Sequence, residues 1–364
     1  MDLKRIIDKK DEAAQYMIDE ITHICKDMDK RDPGSEGEKQ ACEYMADVLV
    51  KDCGCDSAEV ESFKENPGSF FGWIYFTITM VLAGVVLFFF CPVASIVLIV
   101  LGLFIVLMQF GFYKKLVDPF FPEKTGHNVT AIKKCTGETK RRIMFNGHPD
   151  AAWEWPVNYA LGGVGFEGHA VICGIGAVYY IVISAMYIAK YGVHFSVANL
   201  ADPLSKAGLV GMIFVPFLIG LYWMWNENRI VDGANDNLSG CYMGIALLKY
   251  LHDEGIELEN TELGVVLTGS EEAGLRGSKA WCEQHKGEFQ DVPTIIVSYD
   301  TIHDPKYLMV NYRDLNGTVK ADKDASDLFL EAAQSIDVPI KKGWVPPLCR
   351  FCSGRFPCSR HNRT

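Results

Sequence analysis

The chain has 364 residues, with 46 acidic against 35 basic side chains and a formal net charge of -11. That balance excludes a nucleic-acid partner as the natural reading, because neutralising phosphates takes clustered Lys and Arg and no basic cluster of any length occurs. The length suffices for one large domain or two smaller ones, and the 12 cysteines, scattered singly and partly inside apolar runs (Cys91, Cys173), read as free thiols of a reducing compartment.

The first residues, "MDLKRIIDKKDEAAQYM", are charged and helix-like without an apolar centre, so a cleaved secretory leader is not expected. "SEGEKQACEYMADVLVKD" (35–52) has apolar residues at helical spacing behind Ser35, with Glu38 three residues on, the capping-box pattern.

From Ser69 to Tyr113 no residue is charged. As one helix this run would rise about 65 Å at ~1.5 Å per residue, roughly twice a ~30 Å hydrocarbon core. It must fold back, and Pro92 marks the break between helices expected near Phe70–Phe90 and Val93–Phe112. A second pair is expected at Ala170–Ala189 and Ala207–Asn226, the latter with Pro216 inside it. Buried core helices of a soluble protein are the alternative for runs of this length; Trp73, Trp223 and Trp225 near segment ends favour a membrane interface. Two hairpins return the chain to one side. The organisation expected is therefore a polar domain built from 1–68, 114–168 and 227–348, interrupted by hairpins at 69–113 and 169–226. Lys114 and Lys115 beside the first hairpin place that domain in the cytoplasm by the positive-inside rule, against two lysines, Lys190 and Lys206, in the opposite connection. An integral, multi-pass membrane protein in contact with the lipid bilayer follows.

The polar pieces alternate. A short strand (143–145) precedes "NGHPD", "SGCYMGIALLKYLHDEG" reads as a helix ended by Gly255, "ELGVVLTG" as a buried strand, "GSKAWCEQH" as a helix and "TIIVSYD" as another strand. The fold class expected is α/β, with a mostly parallel (mixed) sheet covered by helices on both faces. Ligands of such sheets collect beyond the strand C-terminal ends, where His148 and Asp150, Glu271 and Glu272, and Asp300 all fall. Taken singly, the Glu271–Glu272 pair reads as a solvated turn, His148 as a packed histidine, Asp150 and Asp300 as caps or turn residues.

Together, "NGHPD", "DGANDNLSG", "TGSEEAGLRGS" and "VSYD", in that order, resemble the co-catalytic zinc exopeptidases, which include bacterial leucyl aminopeptidases and glutamate carboxypeptidase. The resemblance covers residues 31–68, 124–150 and 229–348. It implies a zinc-peptidase type of fold. It makes His148 and Asp300 ligands of a first zinc, Asp236 the carboxylate bridging two ions and Glu272 a ligand of the second. Asp150 becomes the carboxylate that orients the histidine ring, and Glu271 the general base. Two cations would make the adjacent glutamates tolerable, since a dication stabilises both ionised forms. His127, His169, His285 and His303 have no motif support and read as structural.

Two departures stand out. His148 and Asp236 are separated by the second apolar pair, where the family has a short loop. The late histidine that the family gives to the second metal is not found, and the ending after "GWVPPL" (349–364) is rich in Cys, Arg and Ser. It reads as a frameshift or truncation after about Pro347; the rival is a zinc-binding tail using Cys349, Cys352, Cys358 and His361. One strong zinc site and impaired activity are expected of the chain as written. The function expected is a membrane-anchored, zinc-dependent exopeptidase, most readily an aminopeptidase, acting on peptides or small amides. A non-catalytic peptidase-like binding or scaffolding domain and a zinc amidohydrolase of acylated amino acids are the alternatives.

Overall fold

The computed structural model describes residues 4–193, 195–302, 305–314, 317 and 319–344. The proposed tail ligands and His303 lie outside them. In chain order the polar N-terminal part gives α1 (Lys4–Asp8), α2 (Lys10–Asp27), α3 (Glu36–Lys51) and β1 (Ser57–Glu65). The first apolar pair gives α4 (Ser69–Leu87) and α5 (Pro92–Val106), continued to Gly111 by a wider turn. Next come β2 (Lys124–Lys133), β3 (Arg141–Gly147) and β4 (Trp153–Glu154). The second pair is α6 (Pro156–Tyr191) followed by α7 (Pro203–Gly211) and α8 (Val215–Gly220). The remainder holds β5 (Asn226–Ile230), α9 (Ser239–Asp253), β6 (Thr261–Thr268), α10 (Arg276–Gln284), β7 (Thr294–Ser298), β8 (Met309–Asn311), α11 (Lys323–Ser335) and β9 (Lys341–Gly343).

The main sheet has the order β1-β2-β6-β3-β7. β3 runs parallel to β6 and β7, while β2 runs antiparallel to both β1 and β6. The sheet is thus evenly mixed rather than mostly parallel. The cause is β1, whose polar sequence "SAEVESFKE" gives little strand signal and which pairs with β2 as the two arms of a long hairpin. Alternation along the central strands serves two cores: Phe145, Val265 and Leu267 pack with α3 and α9, and Met144 and Val266 pack with Trp281 of α10. Helices therefore cover both faces, as expected. Ser35 caps α3 by accepting the Glu38 amide at 3.1 Å. The Glu38 side chain, however, does not close a capping box on Ser35; it is buried and bonds elsewhere, as described below.

Among the described residues, four helical stretches are long and apolar enough to cross a membrane: Ser69–Leu87, Pro92–Gly111, Pro156–Tyr191 and Pro203–Trp223. The first two match the expected pair, with Pro92 opening α5, where its missing N–H costs nothing. The third starts at Pro156 instead of near Ala170, because "PVNYALGGVGFEGH" carries only one acid and continues the helix across a bend at Gly162. The fourth starts and ends slightly earlier than Ala207–Asn226 and is broken into α7, α8 and short tighter turns around Pro216.

These helices pack through small residues. A Cβ on Gly84 would meet Ile99, one on Gly208 would meet Phe88, and one on Gly176 would meet Phe214, all closer than 3 Å. Hydroxyls join the backbones across helices: Thr77 donates to Gly102 O at 2.9 Å and Tyr180 to Gly208 O at 2.7 Å. Close approach through Gly, with hydroxyl cross-links, is the packing that suits helices without a hydrophobic drive between them. The turn after α4 and the connection after α6 meet at the far end, where Ala198 N bonds Phe89 O and Ser196 N bonds Phe90 O.

Candidate metal centre

β3 ends at Gly147, where a Cβ would lie 2.6 Å from the Cys241 amide nitrogen; glycine lets the first turn of α9 close on the strand end. His148 and Asp150 follow at once and are 4% and 0% exposed. The Asp150 carboxylate accepts the backbone amides of both paired glutamates, Glu271 N to Oδ1 and Glu272 N to Oδ2, each at 3.0 Å. The same carboxylate lies 3.4 Å from His148 Nδ1. This buried acid fastens the glutamate loop and lies beside the imidazole without a hydrogen bond to it, Nδ1 as well as Nε2 being unpartnered.

On its other side the ring faces carboxylates. His148 Nε2 is 3.2 Å from Asp236 Oδ1 and 3.8 Å from Glu271 Oε2, yet it is buried with no hydrogen-bond partner of good geometry. His148, Asp236 and Asp300 each offer one ligand atom, and those atoms lie within 4.8 Å of one another. Asp236, with its side chain 53% exposed, opens the site to solvent. Glu272 is not among the three, although it sits close enough for Asp236 and His148 to act on its charge.

The electrostatics show what the cluster lacks. Desolvation pushes Glu271 up to about 7; His148 opposes that, and Asp150, Asp300 and Asp236 add to it. Desolvation raises Glu272 well above the carboxylate range, with Glu271 and Asp236 adding, and raises Asp300 with Asp236 adding. Burial works to lower His148, but Glu271, Asp150 and Asp236 outweigh it and hold it well above its usual value. Acids destabilised by one another around an orphaned imidazole nitrogen fit a dication, which would favour every ionised form at once. One nitrogen and two carboxylate oxygens make a donor set suited to zinc, three protein ligands being the usual number for a catalytic site.

Several residues that hold this geometry are not singled out in the sequence, some of them inside the motifs and some outside. Asn237 brackets Asp300, its Nδ2 donating to Tyr299 O at 2.9 Å and its Oδ1 accepting from Thr301 N at 3.3 Å. The side chain next to Asp236 thereby fastens the strand end that carries Asp300. Arg31, buried, donates to Pro149 O at 2.8 Å and to Asp232 O at 2.6 Å, joining the His148 loop to the Asp236 loop. Glu38 accepts from Ser270 N at 3.0 Å and from Ser270 Oγ at 2.7 Å, just before the glutamate pair; Ser270 Oγ also bonds Glu65. In sequence, Arg31 and Glu65 are single charges in polar stretches, and only burial reveals them.

Among the described residues, His127 Nδ1 lies 3.9 Å from Glu38, His285 lies between Glu61 and Glu288, and His169 Nε2 is 2.7 Å from Phe217 O; none of the three belongs to the metal cluster.

Residues 221–340 match the family described as Peptidase family M28. Asp236, Glu271, Glu272 and Asp300 lie inside that segment, and the fold brings His148 and Asp150 to it from outside. The M28 match and the metal-ligand cluster identify a zinc metallopeptidase. No curated protein matches the chain. Among solved structures it is similar to BSAP, a zinc aminopeptidase from Bacillus subtilis, at 10% identity over 93% of this chain and 83% of that one, with a TM-score of 0.48. It is also similar to an aminopeptidase from Aneurinibacillus sp. strain AM-1 (12% identity, 93% and 82% covered, TM-score 0.46) and to a Zn-dependent exopeptidase from Parabacteroides distasonis (10% identity, 95% and 80% covered, TM-score 0.44). Scores this low transfer no residue roles.

Proposed function

We propose that the chain is a membrane-anchored zinc exopeptidase of aminopeptidase type. The observation that carries the reading is the buried, unpartnered His148 Nε2 facing Asp236, with Asp300 completing the cluster and Glu271 Oε2 beside it. Aminopeptidase is preferred on the resemblance of its motifs.

His148, Asp236 and Asp300 would hold one zinc tightly. Bound there, zinc supplies a Lewis acid that polarises the scissile carbonyl and lowers the pKa of water. Glu271 takes the proton from the attacking water as its oxygen bonds to the carbonyl carbon. The C–N bond then breaks, and Glu271 returns that proton to the leaving amine. Asp150, beside the His148 ring, keeps the Glu271 and Glu272 amides in place throughout. A second ion would have to draw on Asp236 and Glu272.

Retention of a glutamate at position 271 favours catalysis over a pure binding role, which has no use for a base. The apolar outer faces of the four helices support insertion into a bilayer, and Lys114 and Lys115 support a cytoplasmic site.

The test is zinc content and turnover of the full chain in lipid nanodiscs. Glu271→Gln should retain one zinc and lose 10²–10⁴-fold in turnover of aminoacyl anilides, the usual span for a general base; His148→Ala should lose the zinc. Turnover of N-acyl amino acids with none of aminoacyl anilides would make the chain an amidohydrolase instead. Undiminished turnover in the Gln variant would overturn the role of Glu271.

A further inference from the structure

The turn that carries Glu271 and Glu272 has an unusual backbone. Ser270 (φ 54), Gly274 (φ 89) and Leu275 (φ 59) all lie in the left-handed region, which side chains such as leucine disfavour and which persists only where the surroundings enforce it. Asp150 grips the turn at the two glutamate amides, and Glu38 grips it at Ser270. The third grip comes from the first apolar hairpin.

Arg276, only 4% exposed, donates through Nε to Ala273 O at 3.1 Å. Through Nη2 it donates to Asp118 Oδ1 at 2.9 Å and to Ser69 Oγ at 3.1 Å. Ser69 is the first residue of α4, and Asp118 follows the end of the hairpin. The two are joined by the Ser69 hydroxyl, which donates to Asp118 Oδ1 at 2.6 Å, and Gln109 Nε2 donates to the same oxygen at 3.0 Å. The Phe70 ring occupies the space beside Gly274, where a Cβ would be 2.4 Å from Cδ2, and Tyr113 stacks on Phe70. Both ends of the hairpin thus converge on one turn. The planar guanidinium suits this place, since it donates in two fixed directions at once, to the turn and to the hairpin, which an ammonium cannot do in the same geometry.

We propose that Arg276 is a positioning residue through which the first apolar hairpin holds the Glu271–Glu272 turn in its working shape, so that the hairpin is part of the active site and more than an anchor. This rests on reading that turn as catalytic. A merely structural role would loosen the whole body; a positioning role loosens the turn.

The experiment uses the full chain in lipid nanodiscs with zinc and the double variant R276Q/D118N, which removes both charges together and leaves no lone buried ion. Amide hydrogen exchange at residues 274–277 should quicken at least tenfold while exchange in β3 and β6 stays within twofold. For leucyl p-nitroanilide, kcat should fall at least tenfold with KM and zinc content within twofold of the parent. If the double variant does not insert, S69A, which spares the ion pair, should give the same pattern at about threefold. Unchanged exchange at 274–277, or faster exchange throughout the body, would overturn the proposal. A parent chain without turnover would sink the peptidase reading and with it the claim on the active site; whether the hairpin holds the turn through Arg276 is then read from the exchange pattern alone.

Discussion

Val50 on α3 and Val100 on α5 are exposed to almost the same extent, 44% and 48%, but they belong to surfaces of opposite kind. Val50 is flanked by charged, solvent-facing neighbours, Lys51 among them. Val100 lies in a stripe with Val97, Leu101, Phe104 and Leu107, all exposed, and α6 presents a second stripe of Ile175, Val178, Val182 and Met186. The inward positions differ too. α3 buries Ala41, Met45 and Leu49, whereas α5 buries Ser95 and Gly102 as well as Ile99, and α6 buries Ser184 and Gly176. In the body, burial removes apolar surface from water. In the hairpins large apolar side chains such as Ile74, Val81, Phe88 and Ile183 are buried too, with Gly and Ser between them, but further apolar stripes are also left outside, as suits helices whose surroundings are themselves apolar. The proposed membrane reading makes these the marks of two solvents.

That contrast can be broken most sharply by charge. Val100→Lys should cost ~2.5–3.5 kcal/mol of insertion and reduce the fraction that resists carbonate extraction, while Val50→Lys should change stability by no more than ~0.5 kcal/mol. Equal effects, or a monodisperse parent chain free of detergent, would mean that the hairpins are a soluble bundle.

Next in size is an acid where the two regions join. Burial pushes Glu65 up to about 7, against the Ser270 hydroxyl bond. A folded-state value above the ordinary 4.5 means that the fold holds the proton: this group's stabilisation is full below about 4.5 and is lost as pH rises toward about 7. Glu65→Gln should flatten that slope and leave the variant more stable than the parent at pH 8 by up to ~3 kcal/mol, read from melting curves across pH.

Metal removal should divide the regions by place. With zinc at a hundred times its dissociation constant, chelation should cost ~2.7 kcal/mol, with faster hydrogen exchange in the body near β3 and β6 and unchanged exchange in α5 and α6. The smallest effect belongs to the hairpins. Ser184→Ala, which deletes the 3.3 Å bond to Ser95, should cost ~0.6 kcal/mol, the usual worth of such bonds between membrane helices, measured by unfolding in mixed micelles.

Legibility in the sequence followed the range of each interaction. The charge-free run from Ser69 to Tyr113 and the strand-end positions of His148, Glu271 and Asp300 are local patterns; Asp236, which the fold sets beside His148 and Asp300, entered only through the resemblance. β1 was illegible because only its last residues are buried and polar side chains line the rest. The start of α6 was illegible because residues 156–168 are glycine-rich and none of them is buried in the fold, the ring contact of Phe166 with Trp155 being local. Arg276 and Asp118 are 158 residues apart; Arg276 falls inside "TGSEEAGLRGS", but nothing along the chain ties it to Asp118.

The register of β1 with β2 sets Glu65 opposite Lys124, and Trp153 of β4 lies opposite Ile230 of β5. Each apolar pair therefore leaves and re-enters the polar body between two adjacent strands, where an ordinary protein would have a tight turn. A flexible link of such length would add a closure entropy that grows as (3/2)RT ln n. A helical hairpin already seated in a bilayer has its ends side by side and contributes almost none of that disorder. On the proposed membrane reading, insertion first and sheet closure second is the order of assembly with the least entropy to overcome, with the bilayer as a template for the sheet.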